Sequence, residues 1–223
     1  MPARKSRATN AKASANQPAT NRRALLAAYR RMRPGVVRVT SAAASAGTAD
    51  DFMRAAGLLL FETDGNRIIL DSNEDIEKLA DVVLFEPDRA GNRVYDRFLA
   101  EGAHKLAPTD REIAQKMQSA FFSLFRVGER HPIAGLWLED LLDNDRRIWM
   151  VDEGLEASAL EGLCMAARLF DAGDYHAGFG IIIPLSAPMV DSYTSLSTMP
   201  GMAPSEGFFV PHIYANAIHG MTA

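Results

Sequence analysis

The sequence predicts an α+β protein, a helical subdomain with a β-hairpin followed by a small five-stranded antiparallel sheet or partly open barrel. Three observations lead there. Between positions 72 and 120, apolar residues recur at helical spacing behind residues that cap helices. From position 121 the pattern changes to short runs rich in β-branched and aromatic residues, separated by polar turn segments. Ahead of both, residues 1–49 hold ten Lys or Arg and neither Asp nor Glu, so the folded body is expected to begin near Asp50.

Residues 1–21 carry only small apolar side chains among Lys, Arg, Ser, Thr and Asn, too little area to offset the entropy of ordering them. Residues 1–49 therefore read as a disordered basic tail. Within it, Asn21 is placed to start a short helix over 22–33, and Pro34-Gly35 to stop it. A small-residue linker over 41–49 leads to the helical subdomain, 50–120.

Leu58-Leu59-Leu60-Phe61 and Ile68-Ile69-Leu70 flank Thr63-Asp64-Gly65-Asn66, and Asp-Gly between apolar runs predicts a hairpin over 57–71. Ser72 caps a helix whose first turn holds Glu74 and Asp75 at the positive end of the dipole, and Glu86-Pro87 ends it. A second helix spans 88–100. Thr109 and Glu112 have capping-box spacing and start a third.

Strands follow at 121–127, 135–142, 147–151, 163–170 and 175–183, making a β-module over 121–185. The turns Asp143-Asn144-Asp145 and Asp171-Ala172-Gly173-Asp174 pair the second strand with the third, and the fourth with the fifth, antiparallel. Residues 186–223 read as an extended C-terminal segment with a helix over 211–219.

Ser123-Leu124-Phe125-Arg126-Val127, then Gly135-Leu136-Trp137-Leu138-Glu139-Asp140-Leu141-Leu142, then Ala167-Arg168-Leu169 ahead of Gly173-Asp174, resemble a family of little-characterised bacterial proteins. Some members of that family end in a cysteine-rich SEC-C metal motif. The resemblance covers the β-module only. The terminal Cys/His cluster is missing here, so the resemblance implies no zinc site, and it brings no catalytic residues with it.

Composition narrows the function classes. The 223 residues are 48% apolar and 23% charged, enough for one ordinary domain or two small ones. No apolar run is long enough to span a bilayer, so no membrane association is expected. A single cysteine excludes an internal disulfide and CxxC zinc sites, and with the other features points to the cytoplasm. No phosphate loop, dinucleotide fingerprint or nucleophile elbow occurs, so no cofactor is expected.

Beyond position 49, 14 basic residues face all 28 acidic ones, a net charge of −14 opposite the +10 of the tail. Arg22, Arg23, Arg30, Arg31, Arg33 and Arg38 are the candidate polyanion-binding residues, nucleic acid foremost, because clustered cations displace counterions from a phosphate backbone. The competing readings are a solubilising tail, one that folds back on the acidic body, or an organelle-targeting segment.

Four constellations carry candidate chemistry. Cys164 with His131 or His176 has the residue types of a nucleophile and base, but its place between Leu163 and Met165 favours plain packing. Asp174, His176, Glu129 and His131 suit a divalent metal if their loops meet, yet polar groups at turns need no metal to explain them. Asp140, Asp143, Asp145 and Asp152 form an acidic run around one hairpin, matching general acid/base types or simply solvated carboxylates. Trp137, Trp149, Phe125 and Phe179 are candidates for a stacking platform, with core packing as the alternative.

The leading expectation is a non-enzymatic protein acting through protein contacts of its β-module. The alternatives are a nucleic-acid-associated accessory protein using the basic tail, and an enzyme of unrecognised type.

Overall fold

A computed structural model describes residues 17–205 and 207–220. The chain is α+β, with a mixed five-stranded sheet packed against a layer of helices. Residues 1–16 and 221–223 lie outside the described residues, and with them most of the expected 1–21 tail and the last residues of the expected C-terminal segment.

Helix α1 spans Gln17–Ala44, with Pro34 inside it. The expectation of a tail and linker through residue 49 is thus corrected over 17–44, and Pro34-Gly35 does not stop the helix. Pro34 is exposed, while Gly35 is buried at the crossing with a later helix, where a Cβ would lie 2.4 Å from Ile113 Cδ1. Missing atoms at Gly35 let the two helices approach. Val36, Val39 and Ala43 beyond it are buried, and each buried valine returns roughly 1.5–3 kcal/mol against a proline penalty of about 3 kcal/mol.

Helix α2, Ala49–Leu58, begins with a capping box in which Thr48 Oγ1 accepts from the Asp51 N–H at 3.2 Å and Asp51 Oδ2 accepts from the Thr48 N–H at 2.9 Å. It absorbs the start of the expected first hairpin strand. Only Thr63–Asp64 (β1) and Arg67–Ile68 (β2) pair, around the foreseen Asp64-Gly65 turn. Helix α3, Asn73–Phe85, starts as expected, with Ser72 Oγ accepting from the Asp75 N–H at 3.1 Å. Helix α4 is Val94–Glu101. Helix α5 is Pro108–Met117, started by proline in its first turn and not by a Thr109 cap.

The five larger strands fall where alternation put them: β3 Phe121–Arg130, β4 Leu136–Asp140, β5 Arg146–Met150, β6 Cys164–Asp171 and β7 His176–Leu185, with a short helix α6, Glu153–Ser158, between β5 and β6. Their order is β3-β4-β5-β7-β6, and β6 pairs back to β3 to close a barrel. The expectation of an antiparallel sheet is corrected at one pair. β5 and β7 run parallel, meeting at Met150 and His176. A closed ring with an odd number of strands cannot alternate direction all the way round, so one neighbouring pair must be parallel.

The barrel holds its own apolar core, including Phe125, Val127, Leu138, Ile148, Met165 and Leu169, into which Leu155 of α6 packs. A second core lies between barrel and helices, where Phe122, Leu124, Ala166 and Phe170 meet Val36, Val39, Leu79, Val82, Val83 and Tyr95. The C-terminal segment is not extended. It folds into α7, Ala187–Ser197, and α8, Phe209–His219, whose Val210, Ile213 and Tyr214 are buried in that second core. Among the described residues no helix is long and apolar enough to cross a membrane.

Candidate binding site at the barrel mouth

Strand alternation places Ser123, Asp140, Arg146, Asp171 and His176 on the inward parity of their strands, in line with Phe125, Leu138, Ile148, Leu169 and Gly178. Up-and-down connections bring the start of β3, the end of β4, the start of β5, the end of β6 and the start of β7 to one end of the barrel. All five polar residues line a single cavity there of about 490 Å³, with Ser119, Phe121, Phe122, Leu142, Asp143 and Pro204. Each strand therefore contributes one polar side chain to the mouth.

Two of the cross-strand neighbours are directly opposed, Asp140 with Arg146 and Asp171 with His176. The Asp140 carboxylate is 3% exposed. Its Oδ1 accepts from the Ser123 hydroxyl and, at 3.2 Å, from the Leu142 N–H, while its Oδ2 faces Arg146 at 3.6 Å. Arg146 also bonds Asp143 through Nε at 3.0 Å, and its guanidinium lies 5.5 Å from the Phe121 ring centre. The His176 ring meets Phe121 edge-on at 6.0 Å. Burial, with Arg146 nearby, pushes the His176 imidazole below its ordinary value, against the opposing pull of Asp171, so the ring is neutral at neutral pH.

Three carboxylates, one guanidinium, a neutral imidazole and hydroxyls give this mouth a net negative charge. Ser123 gives its proton to a carboxylate and not to an imidazole, so the arrangement orients hydrogen bonds without building an activated nucleophile. The mouth suits recognition of a polar ligand.

The sequence candidates are partly gathered here and partly dispersed. His176, Asp140 and Asp143 line the mouth; His131, Glu129 and Asp174 do not. His131 stacks on Trp149 with ring centres 3.8 Å apart, and Glu129 pairs with Arg147. Among the described residues no group of three or more Asp, Glu, His or Cys is arranged to hold a metal. Cys164 is half-buried, with Sγ 3.7 Å from the Gly162 carbonyl and no hydrogen bond to either histidine. Asp145 occupies the β4–β5 turn with a φ of 55°, and Asp152 caps α6 by accepting from the Leu155 N–H at 2.9 Å.

The four aromatics do not share a face. Phe125 is inside the barrel, and Phe179 packs between Phe85 and Phe170, 5.0 and 5.2 Å away. Trp137 and Trp149 are cross-strand neighbours on the outer surface.

Four of the six candidate polyanion-binding arginines are turned onto the body. Arg22 pairs with Glu156 at 2.8 Å, Arg30 with Glu153 through Nε at 2.8 Å, and Arg38 with Asp110 by two bonds of 2.8 and 2.7 Å, while Arg33 donates to the Gly178 carbonyl at 2.6 Å. Arg23 and Arg31 are exposed.

Sequence reasoning passed over Ser123, Arg146 and Asp171 as site residues. The signal that finds them is the inward parity of β3, β5 and β6 carried two residues further, to where apolar side chains give way to polar ones.

A family model described as a family of unknown function (DUF7986) matches residues 23–207, most of the chain. No curated protein matches the sequence, and no solved structure matches it.

Proposed function

We propose for this chain, which belongs to that family of unknown function, that it binds a small polar molecule bearing a positively charged amino group at the mouth of its barrel, without covalent chemistry. The observation that carries the reading is the convergence of one polar side chain from each of five strands on one cavity, with acidic groups in excess. Concave sites with a few convergent polar groups are where small ligands bind, and the net charge selects the sign of the ligand. Asp171 has its Oδ1 engaged by the Gly173 N–H at 2.7 Å and is exposed, so it is the carboxylate best placed to take an ammonium.

The test is a titration of the folded protein with 1,4-diaminobutane, succinate and inorganic phosphate, followed by amide and imidazole chemical shifts. The diamine is expected to perturb Ser123, Arg146 and His176 saturably, with Asp171→Asn abolishing the effect at an unchanged urea midpoint. A mouth that responds to none of the three probes sinks the reading, and a response to the anions alone reverses the ligand class.

A second reading, a protein partner for the β-module, is favoured by Trp137. It lies on the barrel's outer surface outside both apolar cores, under the Arg147 guanidinium at 4.5 Å and against His131 at 4.9 Å. Partly exposed Trp beside Arg is the composition of interface anchors. A photo-crosslinking residue at position 137 is expected to give a discrete adduct in cells that Arg147→Glu removes; a smear or no adduct counts against it.

A further inference from the structure

Arg168 is a cation within an otherwise apolar strand. Its neighbours Ala167 and Leu169 point into the barrel, so Arg168 points out, into the core between barrel and helices, where its side chain is 5% exposed. Its Nε lies 3.0 Å from both carboxylate oxygens of Asp81 on α3, and its NH2 donates to Glu86 Oε1 at 2.7 Å. Phe85 and Phe122 flank the guanidinium at 4.9 and 5.6 Å. From α8 the Tyr214 hydroxyl donates to Asp81 Oδ2 at 3.0 Å.

One guanidinium faces two buried carboxyl groups, and among the described residues no second cation hydrogen-bonds to either carboxylate. Arg54 of α2 reaches towards Glu86 but donates weakly, at 3.4 Å, to the backbone carbonyls of Glu86 and Pro87 and not to the carboxylate. Glu86 Oε2 is buried with no hydrogen-bond partner among the described residues. An uncompensated charge in an apolar core is far more costly than a neutral acid there, so the surplus is removed by a proton.

The two candidates for that proton are unequal. Asp81 accepts from Arg168 on both oxygens and from Tyr214, contacts that favour its ionised form. Glu86 accepts once and leaves its other oxygen idle.

We propose that the Asp81–Arg168–Glu86 cluster holds one proton at neutral pH, on Glu86, and that this proton latches α3 and α8 to the barrel. Burial pushes both carboxyl groups above their ordinary range, with Arg168 opposing at both and Arg54 opposing more weakly at Glu86, a direction that agrees with a held proton. With the proton in place the cluster is neutral. Without it, Asp81 and Glu86 repel across one guanidinium, and the Asp81–Tyr214 tie that seats α8 is weakened.

The folded state then holds a proton that the unfolded chain has released at any pH above the ordinary glutamate range. Stability drawn from the cluster is full below that range and is lost as the pH rises towards the folded value of Glu86.

The experiment is infrared spectroscopy of the full chain, wild type against Glu86→Gln, combined with urea unfolding across pH. A protonated carboxylic C=O band is expected in the folded wild type at pH 7 and absent in Glu86→Gln. Between about pH 5.5 and 7.5 the wild-type unfolding constant is expected to grow about tenfold per pH unit relative to the variant. Hydrogen exchange in α8, corrected for intrinsic rates, is expected to rise with pH in the wild type only. A band that survives Glu86→Gln and disappears in Asp81→Asn places the proton on the wrong residue. Parallel unfolding profiles, or no such band in the wild type, overturn the proposal. Should Glu86→Gln fail to fold, the pH titration of the band in the wild type decides alone.

Discussion

Arg146 and Arg168 are built alike and live differently. Each stands on a barrel strand, faces two carboxyl groups and lies against a phenylalanine ring. The Arg146 side chain is 53% exposed at the mouth and that of Arg168 is 5% exposed between the layers. At the mouth, water screens the surplus acid, so the cluster keeps its negative charge available to a ligand. Between the layers no water screens it, and the same composition demands a proton. Solvent access, more than residue type, decides whether such a cluster recognises or fastens.

The sharpest way to break this comparison is to delete each arginine. Arg168→Ala leaves two carboxyl groups buried without a counter-charge and is expected to cost about 3–5 kcal/mol in urea unfolding. Arg146→Ala is expected to cost no more than about 1 kcal/mol, because its pair with Asp143 is exposed and Asp140, its buried partner, keeps the Ser123 and Leu142 donors. Equal losses would show that the mouth is as structural as the interlayer cluster.

A smaller effect separates the two regions by pH. His131, on the outer face of the barrel, and His176, at its mouth, are pushed below the ordinary imidazole value, chiefly by burial. Above about pH 6.5 both are neutral whether the chain is folded or not. Below it the unfolded chain takes up protons that the folded protein resists. Stability from these two groups is therefore present above pH 6.5 and lost as the pH falls through their folded values. The slope is at most about 1.4 kcal/mol per pH unit for each histidine. His176→Asn is expected to flatten the acid limb, a trend opposite in sign to that of Glu86.

The smallest effect concerns α1. Arg38→Ala removes a two-bond contact that holds the Asp110 carboxyl below its usual range, and Arg30→Ala does the same for Glu153. Both substitutions are expected to lower the urea midpoint slightly at pH 7, with the difference vanishing as the pH falls through the carboxylate range. A titration with mixed nucleic acid at low and moderate salt distinguishes this from a polyanion-binding role. There, Arg23→Glu with Arg31→Glu, at the two exposed positions, would abolish binding if these side chains meet phosphate.

Much of the fold was legible because its signals are local. Ser72 with Glu74 and Asp75 marks α3, and alternation marks β3 to β7, since one face of each strand meets a core whatever the topology. The misreadings arise where a distant contact reverses a local preference. Pro34-Gly35 signals a stop until Ile113 fills the space that Gly35 leaves. Leu58-Leu59-Leu60 resembles a strand, and here, by contrast, the missed signal is local: the Thr48–Asp51 box starts a helix that runs to Leu58 and is capped at Leu59, before Leu60 turns to a φ of 58°. The mouth was half legible. Asp140, Asp143 and His176 stand out in the sequence as titratable groups near turns, whereas Arg146 and Asp171 acquire meaning only when the ring closes and their strands become neighbours. Arg168 enters the sequence reading only through the Ala167-Arg168-Leu169 resemblance, without a role, because nothing near it in the chain is its partner.

Closure by an odd number of strands has one more consequence. Four of the five seams are antiparallel ladders, and the fifth, between β5 and β7, is a parallel contact registered at a single residue pair and supported by the Val151 N–H to His176 carbonyl bond of 3.0 Å. The β5–β7 seam is thus the most sparsely paired of the five, and it runs beside His176, so the wall of the cavity and the thinnest joint of the shell are the same stretch of chain.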